Sequence, residues 1–384
     1  MNNNLLFCKI VCIICFITNI GQMPMLIDRF PTRNIIIPLW IILTIFCIKK
    51  NFSFYIGEAR SIFLLLYFFG LSYFGGLIFI GNYSKSNLPY VIFLAIFILF
   101  VGLLVGKNLK GEDIEKICTS VVLSGIIVGI DVFRKYIYGM SLTSRIYAYD
   151  SKNSVSQILL TSWLLIIFLK LGKGTFFTKI FYYFSIIILT ITLIGLKSRA
   201  TLIMIPIIII WILFNGNLNK KLRKIILIAL GLIFLFFLFN PNYFNILING
   251  VLLAGREVRD LNDISSGRMN EWISFWDDFQ GGILLGQGRM KRESLFLTSL
   301  LEFGMIGGSL VILIASWPIY WMVKYLKKSD RYYLVFTSVT ITYFFNGFFE
   351  QLAPFGPGVK CFFLWFMLGI FISNRKLNKK IGRW

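Results

Sequence analysis

IFYYFSIIILTITLIGLKSRATLIMIPIIIIWILF, residues 180–214, carries only two charged side chains, Lys197 and Arg199, and both sit in its middle. A spanning helix needs about 20 predominantly apolar residues and a spanning strand about 10 that alternate. The apolar residues on either side of KSR run on without period-two alternation, so the stretch reads as two helices, 180–196 and 200–214, joined by a short polar turn. Further apolar blocks repeat the pattern outward in both directions. They predict spans at 5–23, 35–48, 61–80, 88–106, 117–137, 154–171, 225–239, 294–323, 332–349 and 361–373, giving twelve in all. The expected fold class is therefore all-α, a polytopic membrane bundle, and a β-barrel is excluded.

Composition agrees. Of 384 residues, 57% are hydrophobic and 15% charged, where a soluble domain carries about 25% charged. Forty Phe, nine Trp and seventeen Tyr in long runs exceed what a soluble core can hide beneath a charged surface. The start, MNNNLLFCKI, has no basic opening and no small-residue cleavage site, so the first apolar run reads as a retained span.

An even number of spans puts both termini on one side of the membrane. Lysine-rich segments, GKNLKGEDIEK, NGNLNKKLRK, KYLKKSDR and the tail NRKLNKKIGRW, place that side in the cytoplasm. The expected organisation is spans one to nine over 1–239, an outer loop over 240–293 and spans ten to twelve with a basic tail over 294–384. Ten of the fifteen arginines then fall on the outer side, against the insertion bias, which suggests anionic work there. Long loops translocate regardless of charge, which covers the arginines from 256 to 292 but not Arg145 or Arg199.

Several function classes fall away. The formal charge of +22 is spread over short loops between apolar blocks, a topology-setting pattern rather than a nucleic-acid footprint. All six cysteines lie in apolar stretches, so no disulfide framework is expected, and the chain has no histidine to complete a metal site around Cys8, Cys12 and Cys15. Without histidine, His-based triads are impossible. There is no GxxxxGK[ST] phosphate loop and no D-x-D pair, Asp277 and Asp278 being adjacent, which argues against ATP-driven transport and against a metal-bound nucleotide sugar. No metal and no cofactor are expected. No internal repeat marks an inverted-repeat transporter.

Three segments carry the candidate chemistry. Arg199 stands at the outer end of the 180–214 hairpin, where a charge costs up to about 3 kcal/mol if it reaches the bilayer centre. Its guanidinium forks onto phosphate oxygens, which suits a lipid-linked phosphate; otherwise it is a turn residue reaching toward headgroups. The segment YGMSLTSRIYAYDSKNSVSQ, 138–157, brings Arg145, Asp150, Lys152 and Asn153 to the mouth of the sixth span. In GGILLGQGRMKRESLFLTSLLEFGMIGGSLVILI, 281–314, glycines allow a tight turn, Arg289 and Arg292 supply cations, and Glu293 opens the tenth span. A Glu there is either a base or a helix-start residue near free amides. Before it, SSGRMNEWISFWDDFQ, 265–280, predicts an amphipathic surface helix. Ser266 would be its cap, and Arg268, Trp272, Phe275, Trp276 and Phe279 would share a face, acting as a lid or touching substrate.

The order of these features, SR at the end of a hairpin, then Gly267, Arg268 and Trp272, then Gly286 and Gly288, then LLEFGMIGG, resembles the O-antigen polymerase and O-antigen ligase superfamily over roughly Arg145 to Gly308. The resemblance implies a GT-C-like, metal-independent inverting glycosyltransferase of the bacterial inner membrane with its active site facing the periplasm. It implies a donor and an acceptor that are undecaprenyl-diphosphate-linked oligosaccharides. A flippase and a chain-length regulator would be functional partners in polysaccharide (O-antigen) biosynthesis. It further implies that Arg199 and Arg268 contact the donor diphosphate, with Arg145, Arg289 and Arg292 in the same basic set. Ligases of the superfamily carry a His-Asn pair nine residues before the Glu of this last segment. Here Glu293 and Ser294 stand at those positions, which favours a polymerase, with Glu293 or Asp150 as the catalytic carboxylate. The alternatives are an O-antigen ligase, a flippase for the same lipid-linked units, and a non-catalytic scaffold.

Overall fold

A computed structural model describes residues 3–27, 30–50, 57–80, 87–138, 152–170, 174–215, 220–253, 260, 263, 265, 267–288, 291–326, 331–356 and 361–381. Arg145, Asp150, Ser266 and Arg289 lie outside the described residues. The longer helices are α1 (Asn3–Ile20), α2 (Arg33–Lys49), α3 (Arg60–Ile80), α4 (Leu88–Gly106) and α5 (Gly111–Val132). They continue with α6 (Lys152–Leu165), α7 (Phe176–Gly195), α8 (Arg199–Asn215) and α9 (Lys220–Phe239). Two short helices follow, α10 (Arg268–Ile273) and α11 (Phe275–Gln280), then α12 (Leu295–Tyr325), α13 (Arg331–Asn346) and α14 (Phe362–Ile381). No strand occurs among the described residues.

The protein is all-helical, and among the described residues five helical segments are long and apolar enough to cross a membrane: Arg60–Phe79, Leu88–Gly106, Gly111–Ile137, Phe176–Gly195 and Leu295–Tyr325. Every one of the twelve apolar blocks read from the sequence is helical, but several fall short of spanning length by themselves. Leu5–Ile20, Asn34–Lys49, Val155–Lys170, Arg199–Trp211 and Phe362–Asn374 are apolar but shorter. The block at 225–239 runs into Pro241–Leu252 through a 105° bend and crosses only if the bent pair acts as one span.

The chain divides into two compact units. The first comprises Met1–Val128, Glu271–Trp321 and Tyr343–Trp384. Its centre is α4, apolar all round, as a helix surrounded by others must be. Glycines bring α4 and α14 into backbone contact: a Cβ at Gly102 would stand 2.2 Å from the Phe366 carbonyl oxygen, and one at Gly369 2.2 Å from that of Leu99. Small residues at a crossing are how membrane helices gain packing where lipid offers no hydrophobic drive. Trp40 of α2 packs edge-on against Phe366 at 5.0 Å, and its ring N–H donates to Thr18 at 3.1 Å. Helix α3 docks on α12 through Phe69 and Phe303, whose rings meet at 5.4 Å, and through the Trp317 N–H on Ser61 at 2.9 Å. The ring N–H groups of Trp40 and Trp317 thus find partners, as an apolar surround requires.

The second unit comprises Gly129–Asn270 and Met322–Thr342. In it α6 packs on α7 and α8, and the Trp163 ring N–H of α6 donates to Thr190 of α7 at 3.0 Å. Helices α5 and α6 each end in a turn of π-helix, Phe133–Ile137 and Ile166–Lys170.

Candidate functional site

In the second unit the polar residues gather at the turn between α7 and α8. Leu196 and Lys197 close α7 by donating to the carbonyls of Thr192 and Ile194. Lys197 then takes a φ of 51°, the left-handed region that a side-chain-bearing residue enters at a cost of about 1–2 kcal/mol. Its side chain is 1% exposed, and burial pushes its ammonium below the usual lysine range. Strain held at a buried charge marks a place the surrounding structure has over-determined. Ser198 donates to Asn153 at the start of α6 at 2.8 Å and shares a hydroxyl contact of 3.0 Å with Thr201. Arg199 opens α8 half-buried and donates to the Leu253 carbonyl at 3.2 Å. Leu253 caps the π-helical segment Ile246–Leu252, so the guanidinium rests on the negative end of a helical segment. The same unit contains Arg268, whose guanidinium donates to the Ser265 carbonyl at 3.3 Å. The Ser265 hydroxyl accepts the Met269 N–H in the first turn of α10 at 2.9 Å, and the expected cap Ser266 lies outside the described residues.

In the first unit the segment before α12 builds a separate polar cluster. The guanidinium of Arg292 donates to the Asp278 carboxylate and to the Ser274 hydroxyl, the latter at 3.3 Å. Its backbone N–H donates to the Thr298 hydroxyl at 3.0 Å, and that hydroxyl donates back to the Arg292 carbonyl at 2.8 Å. Glu293 is exposed, and its backbone N–H donates to the Glu271 carboxylate at 3.0 Å. At this helix start Glu271 thus accepts the amide of Glu293. Ser294 and Leu295 donate to the Gly347 carbonyl at 3.3 and 2.8 Å, tying the start of α12 to the end of α13.

Just beyond, α12 is broken. Gly304 has φ 66° and ψ −167°, so the helix stops and restarts there. A break inside a membrane frees carbonyls and amides that lipid cannot satisfy. The glycine-rich segment at 281–288 supplies their partners: the Gln287 and Gly288 N–H groups donate to the carbonyls of Leu301 and Glu302 at 2.8 and 3.0 Å. In return Met305 and Ile306 donate to the carbonyls of Ile283 and Leu284 at 2.8 and 3.3 Å. The two chains touch through glycines, since a Cβ at Gly286 would stand 2.4 Å from the Glu302 carbonyl oxygen and one at Gly304 2.3 Å from that of Leu284. Glu302, fully buried, sits at this clamp.

The expected amphipathic helix is two helices meeting at Ser274. Phe275 and Phe279 of α11 are buried on Leu297 and Leu301 of α12, and Trp272 stacks on Phe348 at 6.4 Å, while Trp276 is 65% exposed. The apolar face at Phe275 and Phe279 therefore packs on protein.

Of the expected site residues, Arg199 and Arg268 share the second unit, and Arg292 and Glu293 share the first. Sequence reasoning passed over Lys197, Glu271, Ser274, Asp278 and Glu302 as site residues. For Lys197 the signal was a second charge in an apolar hairpin, and for Glu302 a carboxylate inside a predicted span. Nothing in sequence pairs Glu271 with the amide of Glu293. No family model matches the chain, and no curated protein matches it in sequence. Fold and chemistry together define a multi-helix protein with membrane-spanning helices and cationic turns.

Proposed function

We propose that the chain is a surface-polysaccharide polymerase, a metal-independent glycosyltransferase that joins oligosaccharide repeat units carried on a polyprenyl diphosphate. The observation that carries the reading is the Lys197–Ser198–Arg199 turn. Two basic residues stand two positions apart at the tip of an apolar helical hairpin, one buried and strained, the other held on a helix-end carbonyl. That is a costly arrangement for a structural turn and an apt one for the phosphates of a lipid carrier at the membrane interface.

In this reaction the anomeric C–O bond to the donor diphosphate breaks and a new bond forms to an acceptor sugar hydroxyl, with inversion. Arg199 and Arg268 neutralise the charge developing on the departing diphosphate, and a carboxylate, for which the resemblance implies Glu293, takes the hydroxyl proton. The active face is the outer one, the periplasmic side of the inner membrane, with both termini in the cytoplasm. Lack of histidine disfavours the ligase reading.

The test is purified protein given one lipid-linked repeat unit with no nucleotide, ATP or metal. A ladder of longer lipid-linked glycans is expected, and Glu293→Gln should slow it by about 10²-fold or more. Transbilayer movement of the lipid with no ladder would replace the polymerase by a flippase.

A further inference from the structure

In the first unit the segment between α11 and α12 can be traced level by level against α12. Phe275 and Phe279 of α11 pack with Leu297 and Leu301. Next, the carbonyls of Ile283 and Leu284 accept the N–H groups of Met305 and Ile306, on the far side of the break at Gly304. The chain then turns through Gly286, φ 76°, and comes back: its Gln287 and Gly288 N–H groups meet the carbonyls of Leu301 and Glu302, and at Arg292 it has returned to Thr298. It thus descends along the helix as far as residue 306 and climbs again, with Ile283 and Leu284 at the lowest point.

Helix α3 gives the depth of that point. It runs antiparallel to α12 in register: the Trp317 N–H reaches Ser61, and a Cβ at Gly307 would stand 3.1 Å from the Ser72 hydroxyl. From Ser72 to Phe79 the helix rises about 10 Å, whereas from Gly307 to Gly304 the rise is about 5 Å. The stretch Arg60–Phe79, itself long and apolar enough to span, therefore continues past the level of the break, and it ends in Ile78 and Phe79, both exposed. Leu285, Phe79 and Met305 line one apolar groove, so the excursion lies alongside this end of α3.

We propose that 281–288 is a re-entrant segment, an interaction surface for the bilayer itself, with Ile283 and Leu284 among the acyl chains of one leaflet. Its composition suits that depth: GGILLGQG carries no charge, and its one polar side chain, Gln287, donates to the Asp278 carbonyl. Irregular backbone persists at membrane depth only where protein satisfies it, and the hydrogen bonds to α12 do so around the break. The partner is hydrocarbon, because the exposed side chains of Ile283 and Leu284 can neither donate nor accept a hydrogen bond, and they adjoin the exposed Met305 and Ile306 of the spanning helix. Asp278 and Arg292 then mark where the segment enters and leaves the apolar layer, at the level where charged side chains meet headgroups. This placement follows from packing alone and holds whatever reaction the protein catalyses.

Ile273, at the end of α10, and Leu284 form a matched pair for the test. Both are aliphatic and they are 67% and 64% exposed, but Ile273 precedes Ser274, which is bonded to Arg292, while Leu284 is at the tip. The full-length protein in phospholipid nanodiscs is exposed to hydroxyl radicals generated in the water, and oxidised positions are mapped by mass spectrometry. Leu284 should be oxidised about tenfold less than Ile273, since the hydrocarbon layer holds no water. A phospholipid carrying a diazirine in the upper half of an acyl chain, photolysed in the same nanodiscs, should label Ile283 or Leu284 and spare Ile273. Leu284→Asp should lower the thermal unfolding temperature in nanodiscs, and Ile273→Asp should leave it unchanged. Equal oxidation of Ile273 and Leu284, or lipid labelling that misses both 283 and 284, would overturn the re-entrant placement.

Discussion

Arg199 donates to the Leu253 carbonyl, and its guanidinium presents its donors in a rigid fork. If that fork stabilises a leaving diphosphate, Arg199→Gln should lower turnover by about 10²–10³-fold, the usual effect of removing one donor from a developing anion. Arg199→Lys should restore only part of it, since a point charge replaces the charge but not the fork. Rates of glycan elongation, set beside thermal unfolding in detergent, separate this from misfolding; an Arg199→Gln protein as active as wild type would sink the role. Lys197 next to it gives a pH prediction. Burial depresses its folded-state pKa, so the unfolded chain binds the proton more readily and folding gains stability as pH rises from that depressed value to the ordinary lysine range. Lys197→Met removes the buried charge. It should therefore unfold at a higher temperature than wild type at neutral pH, with the difference shrinking toward pH 10.5 while elongation is lost. A difference that grows with pH would show that burial does not govern this lysine.

At the scale of elements the decisive feature is the clamp on α12. Gly304 combines a positive φ with a contact that leaves no room for a Cβ, so Gly304→Ala should destabilise by about 3 kcal/mol or more, and Gly286→Ala similarly. Hydrogen exchange should then lose protection at Met305 and Ile306, whose amides the clamp satisfies; unchanged protection there would contradict the pairing. The helices themselves were legible in sequence. Apolar runs without alternation can satisfy their backbone groups in lipid only as helices, so all twelve blocks are helical. The break was not legible. LLEFGMIGG reads as one stretch of span, because a glycine alone does not interrupt a membrane helix, and what interrupts this one is a segment about twenty residues earlier that pairs with it. For the same reason SSGRMNEWISFWDDFQ reads as one amphipathic helix: the periodicity of Phe275 and Phe279 is real, but Leu297 and Leu301, not the membrane, receive them. Arg199 and Glu293 stood out as charges bordering apolar runs, whereas the Arg292–Asp278 and Glu293–Glu271 contacts depend on tertiary placement that no spacing encodes.

Taken as a whole molecule, the chain passes from one compact unit to the other and back twice, with Lys197, Arg199 and Arg268 in one unit and Arg292 in the other. The central claim is that sugar transfer expels a lipid diphosphate. The direct measurement is the amount of free polyprenyl diphosphate released per glycosidic bond formed by the purified protein, without nucleotide or metal. One released for each new bond is expected, with release abolished alongside elongation in Arg199→Gln. Chain growth without release, or lipid crossing the bilayer with its glycan unchanged, would contradict glycosyl transfer by this protein.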